Sequence, residues 1–441
     1  DAADYNNDGL TDLVTLDMLP ESNYLLKTHA GSNNFDKTNL LIRNGFQPQF
    51  SQNMLQKNNG DGTFSEIGQL AGISNTDWSW SALFCDFDGD TNKDLFVGNG
   101  FVKDFSDHDF INFSADKLAR ARKGEVTVKE PIKKLLADIP VLKIPNYIFR
   151  NKGDGSFENK TREWGIDIPI LSYGAAYADL DNDGDMDLVV NNTDEYASVY
   201  RNNAIATLKN NYISVKLEGG GQNRNAIGAK VKVYCGGQQY YQEQFPVRGY
   251  QSSVDMRLNF GLGQAKSIDS ILVIWPYDNY QLIKNVPVNQ TLVLKAADAK
   301  QLYSYVKPLI TPLVTTAELP VLKHTENAFN DFTVQRHLPN YLSREGPALA
   351  VADINKDGLQ DVFLGNANGA VSNLFYQKAN GDFQPSTIID TKKDVNGEVT
   401  CAAFFDADQD SDMDLYIGHG GYEFPDGYPA FQDRLMINDG K

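Results

Sequence analysis

The sequence predicts an all-β chain in which propeller-type blades flank a small β-sandwich, with a short helical insertion. Three observations predict it. A nine-residue acidic pattern recurs five times between apolar runs. A Gly/Asp turn follows most copies at regular spacing. Residues 211–296 break the pattern and alternate short β-type runs with glycine turns.

The acidic pattern reads DYNNDGLTD from Asp4, DFDGDTNKD from Asp86, DLDNDGDMD from Asp179, DINKDGLQD from Asp353 and DADQDSDMD from Asp406. Positions one, three, five and nine are Asp or Asn in every copy. The residues that follow are apolar (LVTL, LFVG, LVVN, VFLG, LYIG). Short apolar runs rich in β-branched and aromatic residues read as buried strands, so each acidic stretch is expected to join two strands. The second motif, MLQKNNGDGTF (54–64), IFRNKGDGSF (148–157) and LFYQKANGDF (374–383), reads as strand, turn, strand. From its closing Phe to the next acidic stretch is 22, 22 and 23 residues (Phe64 to Asp86, Phe157 to Asp179, Phe383 to Asp406). A repeat of about four short strands cannot bury both faces alone, and radial stacking of such units gives a propeller.

This organisation sets the expected domains. Residues 1–210 are the last blades of one propeller, with insertions at 17–50 and 101–145. Residues 211–296 are a β-sandwich, 297–345 a Pro-rich connector, and 346–441 the first blades of a second propeller. In the second insertion, SADKLARARKG and EPIKKLLADI carry apolar residues near helical spacing. Gly219–Gly221 matches no phosphate-loop spacing and leads into a strand, so it is not a nucleotide site.

Composition narrows the function. Lys and Arg number 40 against 58 Asp and Glu, a formal charge of −18. Such a chain repels phosphate backbones, which excludes nucleic acid as the partner. The longest fully apolar run, ILVIW at 271–275, falls far short of the ~20 residues of a membrane span. No signal peptide is visible, and Asp1 lies inside a repeat, so the natural chain is expected to extend in both directions. Cys85, Cys235 and Cys401 cannot all pair; Cys85 and Cys401 sit in apolar runs and read as small buried hydrophobes.

The acidic stretches point to a metal. Four carboxylates such as Asp179, Asp181, Asp183 and Asp187 repel one another by about 1 kcal/mol per pair in water at 4–5 Å, and several times that near a protein surface. Five such loops are hard to reconcile with folding unless a cation sits among them. Alternate side chains point inward, position seven offers a carbonyl and position nine returns a carboxylate. The result is an all-oxygen site suited to Ca²⁺, with Mg²⁺ second. It is not an EF-hand. Position twelve is Thr15, Val97, Val190, Leu364 or Ile417, never Glu, and the flanks are strands. Thr91 and Ser411 replace glycine at position six, which is expected to strain those two turns.

These loops and strands resemble FG-GAP/VCBS repeats, the calcium-loop blades also found in integrin α-chains. The stretch NRNAIGAKVKVY…GYQSS…LNFGLG…ILVIWP is similar to the ASPIC/UnbV domain that follows such repeats in relatives of cartilage acidic protein. The texture of DMLPESNYLLK and LSREGPALAVADINKDG resembles large secreted or lipid-anchored proteins of Bacteroidota, often encoded near SusC/SusD-type importers. The resemblance implies about five Ca²⁺ sites. Their side-chain ligands are Asp4, Asn6, Asp8 and Asp12; Asp86, Asp88, Asp90 and Asp94; Asp179, Asp181, Asp183 and Asp187; Asp353, Asn355, Asp357 and Asp361; and Asp406, Asp408, Asp410 and Asp414. The carbonyl ligands are those of Leu10, Asn92, Asp185, Leu359 and Asp412. It also implies a location at the cell surface or outer membrane, with a lipid anchor on a missing N-terminus.

Three functions follow in order. The first is a calcium-rigidified, non-catalytic scaffold or recognition module, an accessory of an outer-membrane glycan or peptide importer. The second is a carbohydrate-active enzyme such as a calcium-dependent polysaccharide lyase. Against it, His29, His108, His324, His337 and His419 are scattered and no HExxH or GxSxG occurs; only His108 and His419 have suggestive neighbours. The third is a glycan-binding module in which Trp78 and Trp80 stack on sugars, against which both are expected to be blade-core aromatics.

Overall fold

The computed structural model describes residues 1–29, 35–104, 106–123, 139, 141–305, 313–314, 322–338, 341–344, 346–386 and 397–440. It is all-β in character and divides into two compact units, Asp1–Lys307 and Pro308–Lys441.

The first unit opens with three antiparallel blade sheets. The first comprises Ala2–Ala3, Asp12–Thr15, Met54–Asn58 and Phe64–Glu66 in that order. The second comprises Asp77–Cys85, Asp94–Asn99, Tyr147–Asn151 and Phe157–Asn159. The short strand Met18–Leu19 of the first insertion pairs with its leading edge. The third comprises Ser172–Ala178, Asp187–Asn192 and Ser198–Tyr200. The second unit holds a fourth blade, Leu349–Ala352, Asp361–Leu364, Asn373–Gln377 and Phe383–Pro385, and a fifth, Glu398–Phe405, Asp414–Gly420 and Arg434–Met436.

The unbroken apolar runs have a simple cause. Successive side chains of a strand point to opposite faces, and the second blade is covered on both. Ala82, Phe84, Leu95, Val97, Tyr147 and Phe149 pack toward the first blade, where Tyr5, Val14 and Leu55 meet them. The residues between them, Leu83, Cys85, Phe96 and Ile148, pack toward Ala175, Met186, Leu188 and Val190 of the third. The fifth blade is less well covered. Strand Glu398–Phe405 alternates toward exposure at its far end, and Cys401 is exposed, not buried as its apolar neighbours suggested.

Residues 211 onward form the expected sandwich, a three-stranded sheet (Leu258–Gly263, Asn211–Glu218, Gln290–Lys295) against a five-stranded one. The five-stranded sheet ends with Gln301–Leu302, paired to the strand Asn279–Pro287, so the domain extends past residue 296. The stretch expected to be a free connector is also partly built in. Within the second unit, the Thr325 N–H donates to Asn366 Oδ1, and buried Asp331 accepts the N–H groups of Leu342 and Ser343. Gly219–Gly221 opens the loop 219–229 between the strands Asn211–Glu218 and Lys230–Cys235, where the Gly219 N–H donates to Arg224 O.

The insertions are more helical than expected. The first contains helices Asn23–His29 and Phe35–Arg43, the second helix His108–Arg122. The last begins six residues before SADKLARARKG because Asp107 accepts the N–H groups of Asp109 and Phe110, an N-cap. EPIKKLLADI lies outside the described residues except for Ile139. No helix among the described residues is long and apolar enough to cross a membrane.

Candidate metal centre

Each acidic loop spans one blade hairpin in one register. The residue before position one pairs with position nine in all five: Ala3 with Asp12, Cys85 with Asp94, Ala178 with Asp187, Ala352 with Asp361, Phe405 with Asp414. Inside the loop the backbone turns back on the first aspartate. The position-five N–H donates to position-one Oδ1 in every copy: Asp8 to Asp4, Asp90 to Asp86, Asp183 to Asp179, Asp357 to Asp353 and Asp410 to Asp406, at 3.0–3.2 Å. The position-seven N–H groups of Leu10, Asn92, Asp185, Leu359 and Asp412 donate to position-five Oδ1. Positions four and six are left-handed throughout, which is why Asn7, Gly9, Gly89 and Gly184 stand there.

Thr91 and Ser411 adopt the same left-handed backbone with φ +90° and +71°. Both carry the strain that glycine avoids. Ser411→Gly is expected to stabilise the second unit by about 1 kcal/mol, read as a rise in the urea midpoint at constant slope; an unchanged midpoint refutes the strain.

The loops gather carboxylates to different extents. One oxygen each from Asp86, Asp88 and Asp90 lies within 4.8 Å of the others, and the same holds for Asp179, Asp181 and Asp187, and for Asp406, Asp408 and Asp414. The first and fourth loops have Asn6 and Asn355 at position three, and no carboxylate trio there gathers as closely. Asn6 and Asn355 instead donate to Asp8 and Asp357.

Position nine does more than the sequence suggested. All five of these aspartates are buried. One oxygen accepts the position-two N–H of its own loop (Tyr5, Phe87, Leu180, Ile354, Ala407). The other accepts an N–H from the third strand or the residues just after it (Asn58, Asn151, Asn202, Gln377, Asn438). Four of those five are asparagines, and their side chains also work. Asn151 Nδ2 donates to Tyr5 O of the preceding blade at 2.8 Å, Asn202 Nδ2 to Phe87 O at 2.7 Å and Asn438 Nδ2 to Ile354 O at 3.0 Å. Each acceptor is position two of the preceding loop. An asparagine clasp therefore joins each pair of successive blades within a unit.

The donor set fits a hard cation. Burial first, then the charges of Asp88 and Asp90, push the Asp86 carboxyl up to about 8. Burial pushes Asp12 up to about 6 and Asp185 up to about 7, and Asp94 well above the carboxylate range. Asp185 Oδ1 is buried with no hydrogen-bond partner, and this side chain, expected to contribute only its carbonyl, faces the same loop as Asp183. Such groups are what a divalent ion would relieve, and all-oxygen donors favour Ca²⁺ or Mg²⁺. The two bonds on position nine do not exhaust a carboxylate's roughly four lone-pair sites. Protein cations supply part of the balance. Arg150 bonds Asp88 and Asp90 at 2.8 Å each, Arg201 bonds Asp181 at 2.7 Å, and Lys356 pairs with Asp412.

The sandwich sits on the first unit's loops. Asn210 Nδ2 donates to Asp88 O and the Gly263 N–H to Gly89 O. Arg257 donates to Asp179 O and Asn182 Oδ1, and Asn259 Nδ2 to Gly184 O. A Cβ on Gly184 would strike the Tyr212 ring, and one on Gly261 would strike Asp86.

The family comparison agrees with this architecture. A family model for FG-GAP-like repeats matches residues 4–97, 145–190 and 353–417, and one for ASPIC and UnbV matches 219–301. This is an FG-GAP-like repeat protein with an ASPIC and UnbV domain. No individually curated protein matches the chain. In this FG-GAP-like protein the matched repeats end with the loops and their flanking strands, and the ASPIC and UnbV match runs through Gln301, in line with the strand that closes the sandwich.

The other residues singled out from sequence fall differently. Trp80 is packed against Tyr173 and Tyr250, with ring centroids 5.1 Å away, and its indole N–H donates to Gly100 O. Trp78 stacks on Phe101 at 3.9 Å and 7°. His108 opens a helix, and the His419 N–H donates to Asp433. His324 Nε2 lies 3.2 Å from Glu326 Oε2, and His29 meets two carboxylates, its Nε2 2.6 Å from Asp104 Oδ2 with Asp107 in the same group. No local pattern joins His29 to Asp104, so sequence reading passed over it.

Proposed function

We propose that this protein is a calcium-stabilised, non-catalytic scaffold or recognition module of the cell surface, an accessory of an outer-membrane importer of the SusC/SusD type. The reading rests on one observation: three loops each gather three carboxylates within 4.8 Å in the same structural frame. A metal that only ties loops together has a structural role. The ASPIC and UnbV domain bonds loop carbonyls of the second and third blades. The first insertion exposes Leu40, Leu41, Ile42 and Phe46, and apolar side chains exposed together suit a protein partner.

Calorimetric titration of the chelated chain is expected to show at least three sites that prefer Ca²⁺ to Mg²⁺. Absence of heat with either ion sinks the metal reading. Capture from detergent-solubilised outer membranes should retain an importer in Ca²⁺ and lose it in EGTA. Recovery of no membrane protein in Ca²⁺ overturns the scaffold role.

A further inference from the structure

The strand Asp77–Cys85 carries an acidic loop at its C-terminal end and a cavity at its start. Nine residues of strand separate the two by about 26 Å. The cavity measures about 560 Å³ and lies between the two insertions and the top of the second blade, a size typical of small-molecule sites.

Its walls are mainly apolar. Trp78, stacked on Phe101, forms one side, with Leu19 and Leu25 from the first insertion and Ile144 from the second. Set among these are Asp77 and Asp104, only 7% and 5% exposed. Asp77 adopts a left-handed backbone with φ +64°, uncommon for a residue other than glycine, and its Oδ2 accepts the Tyr147 hydroxyl at 3.0 Å. The same hydroxyl lies 2.6 Å from Glu21 Oε2, so one proton serves two carboxylates. Among the described residues the lining contains no Lys or Arg, and its one basic group there, His29, is already against Asp104.

We infer that this cavity binds an organic cation, a primary amine or guanidinium carried on an apolar stem. Carboxylates at the polar end supply the counter-charge, and the apolar wall with its indole takes the stem. A neutral sugar fits less well. Each sugar hydroxyl seeks donors as well as acceptors, and the buried polar groups here are chiefly acceptors. One face of Trp78 is moreover occupied by Phe101. The inference is independent of the acidic loops and of any importer.

The test uses the full chain saturated with Ca²⁺ and three probes: N-acetyl-lysinamide, its uncharged isostere N-acetyl-norleucinamide, and maltose. Titration calorimetry is expected to show the lysine derivative binding at least about tenfold more tightly than the norleucine one, a difference of about 1.4 kcal/mol. Asp77→Asn keeps a residue that tolerates the left-handed backbone. It is expected to weaken the lysine derivative by about tenfold and to leave Ca²⁺ binding unchanged. Ser51 is exposed on the rim. Ser51→Lys, which tethers an ammonium at the cavity, should block the probe where Ser51→Met does not, a readout that does not depend on how Asp77→Asn folds. Equal binding of the two amides, binding of maltose alone, or no binding of the lysine derivative overturns the proposal. None of these outcomes touches the calcium reading, which fails only if the loops bind no ion.

Discussion

Stripping calcium with EGTA is expected to lower the melting temperature of this chain by about 8 °C. A site that binds the folded state with a hundredfold excess of ligand over its Kd stabilises by about 2.7 kcal/mol. At about 2.1 cal/mol/K of unfolding entropy per residue, each kcal/mol is worth roughly 1.6 °C for the first unit, Asp1–Lys307, which has two of the well-gathered loops. The effect should depend on pH with a definite sign. Without the ion, burial and its neighbours hold the Asp86 carboxyl up to about 8, whereas in the unfolded chain it titrates near 3.9. Between those values the folded state binds more protons, so the ion-free protein loses stability as pH rises from about 4 to about 8. A bound Ca²⁺ keeps the carboxylates ionised and removes that penalty. The gap between calcium and EGTA melting curves should therefore widen from pH 5 to pH 8. A gap of constant size refutes the coupling to these carboxylates. The loosening should also spread to the ASPIC and UnbV domain, because Asn210, Arg257 and Asn259 hold loop carbonyls and an asparagine side chain. Faster hydrogen exchange at 257–263 in EGTA is the expected sign, and unchanged exchange there shows the domain to be docked independently of the ion.

The loops were legible in sequence because their acidic groups fall within nine residues and the pattern is repeated. Strand alternation and the sandwich were legible for the same local reason. Three things were not. The clasp asparagines look like ordinary turn residues, Asn151 in NKGDG and Asn438 in NDG, and their partners lie far away in sequence, as Asn151 and Tyr5 do. The helices Asn23–His29 and Phe35–Arg43 are short and bury no residue, and neither carries apolar spacing sustained over the several turns that a sequence reading needs. The cavity sets His29, Asp77 and Asp104 together, with Tyr147 and Glu21 bonded behind Asp77; both insertions and two strands contribute them, and only the folded chain brings them together.

Asn151→Ala is expected to be the most damaging single change outside the apolar core. Asn151 is 1% exposed. Its Nδ2 donates to Tyr5 O and Lys93 O, and its Oδ1 accepts the Gly153 N–H. Truncation leaves two buried carbonyls unpaired, and each unsatisfied buried group costs about 1–3 kcal/mol. A loss of roughly 3–5 kcal/mol follows, with some offset if water enters. Asn58 supplies the comparison. It offers the same backbone N–H to Asp12, but its Nδ2 reaches Thr11 O of its own blade. If the clasp between blades matters, Asn151→Ala and Asn202→Ala should each cost well over the loss for Asn58→Ala in urea unfolding. Asn151→Asp separates shape from chemistry. It keeps the size and the Gly153 bond but turns an acceptor toward two carbonyls, so it should be at least as damaging as alanine at neutral pH. Equal losses at Asn58 and Asn151 would mean that the asparagine serves its own turn alone, and that the blades are held together by the interleaved apolar faces of Phe84, Leu95 and Phe96.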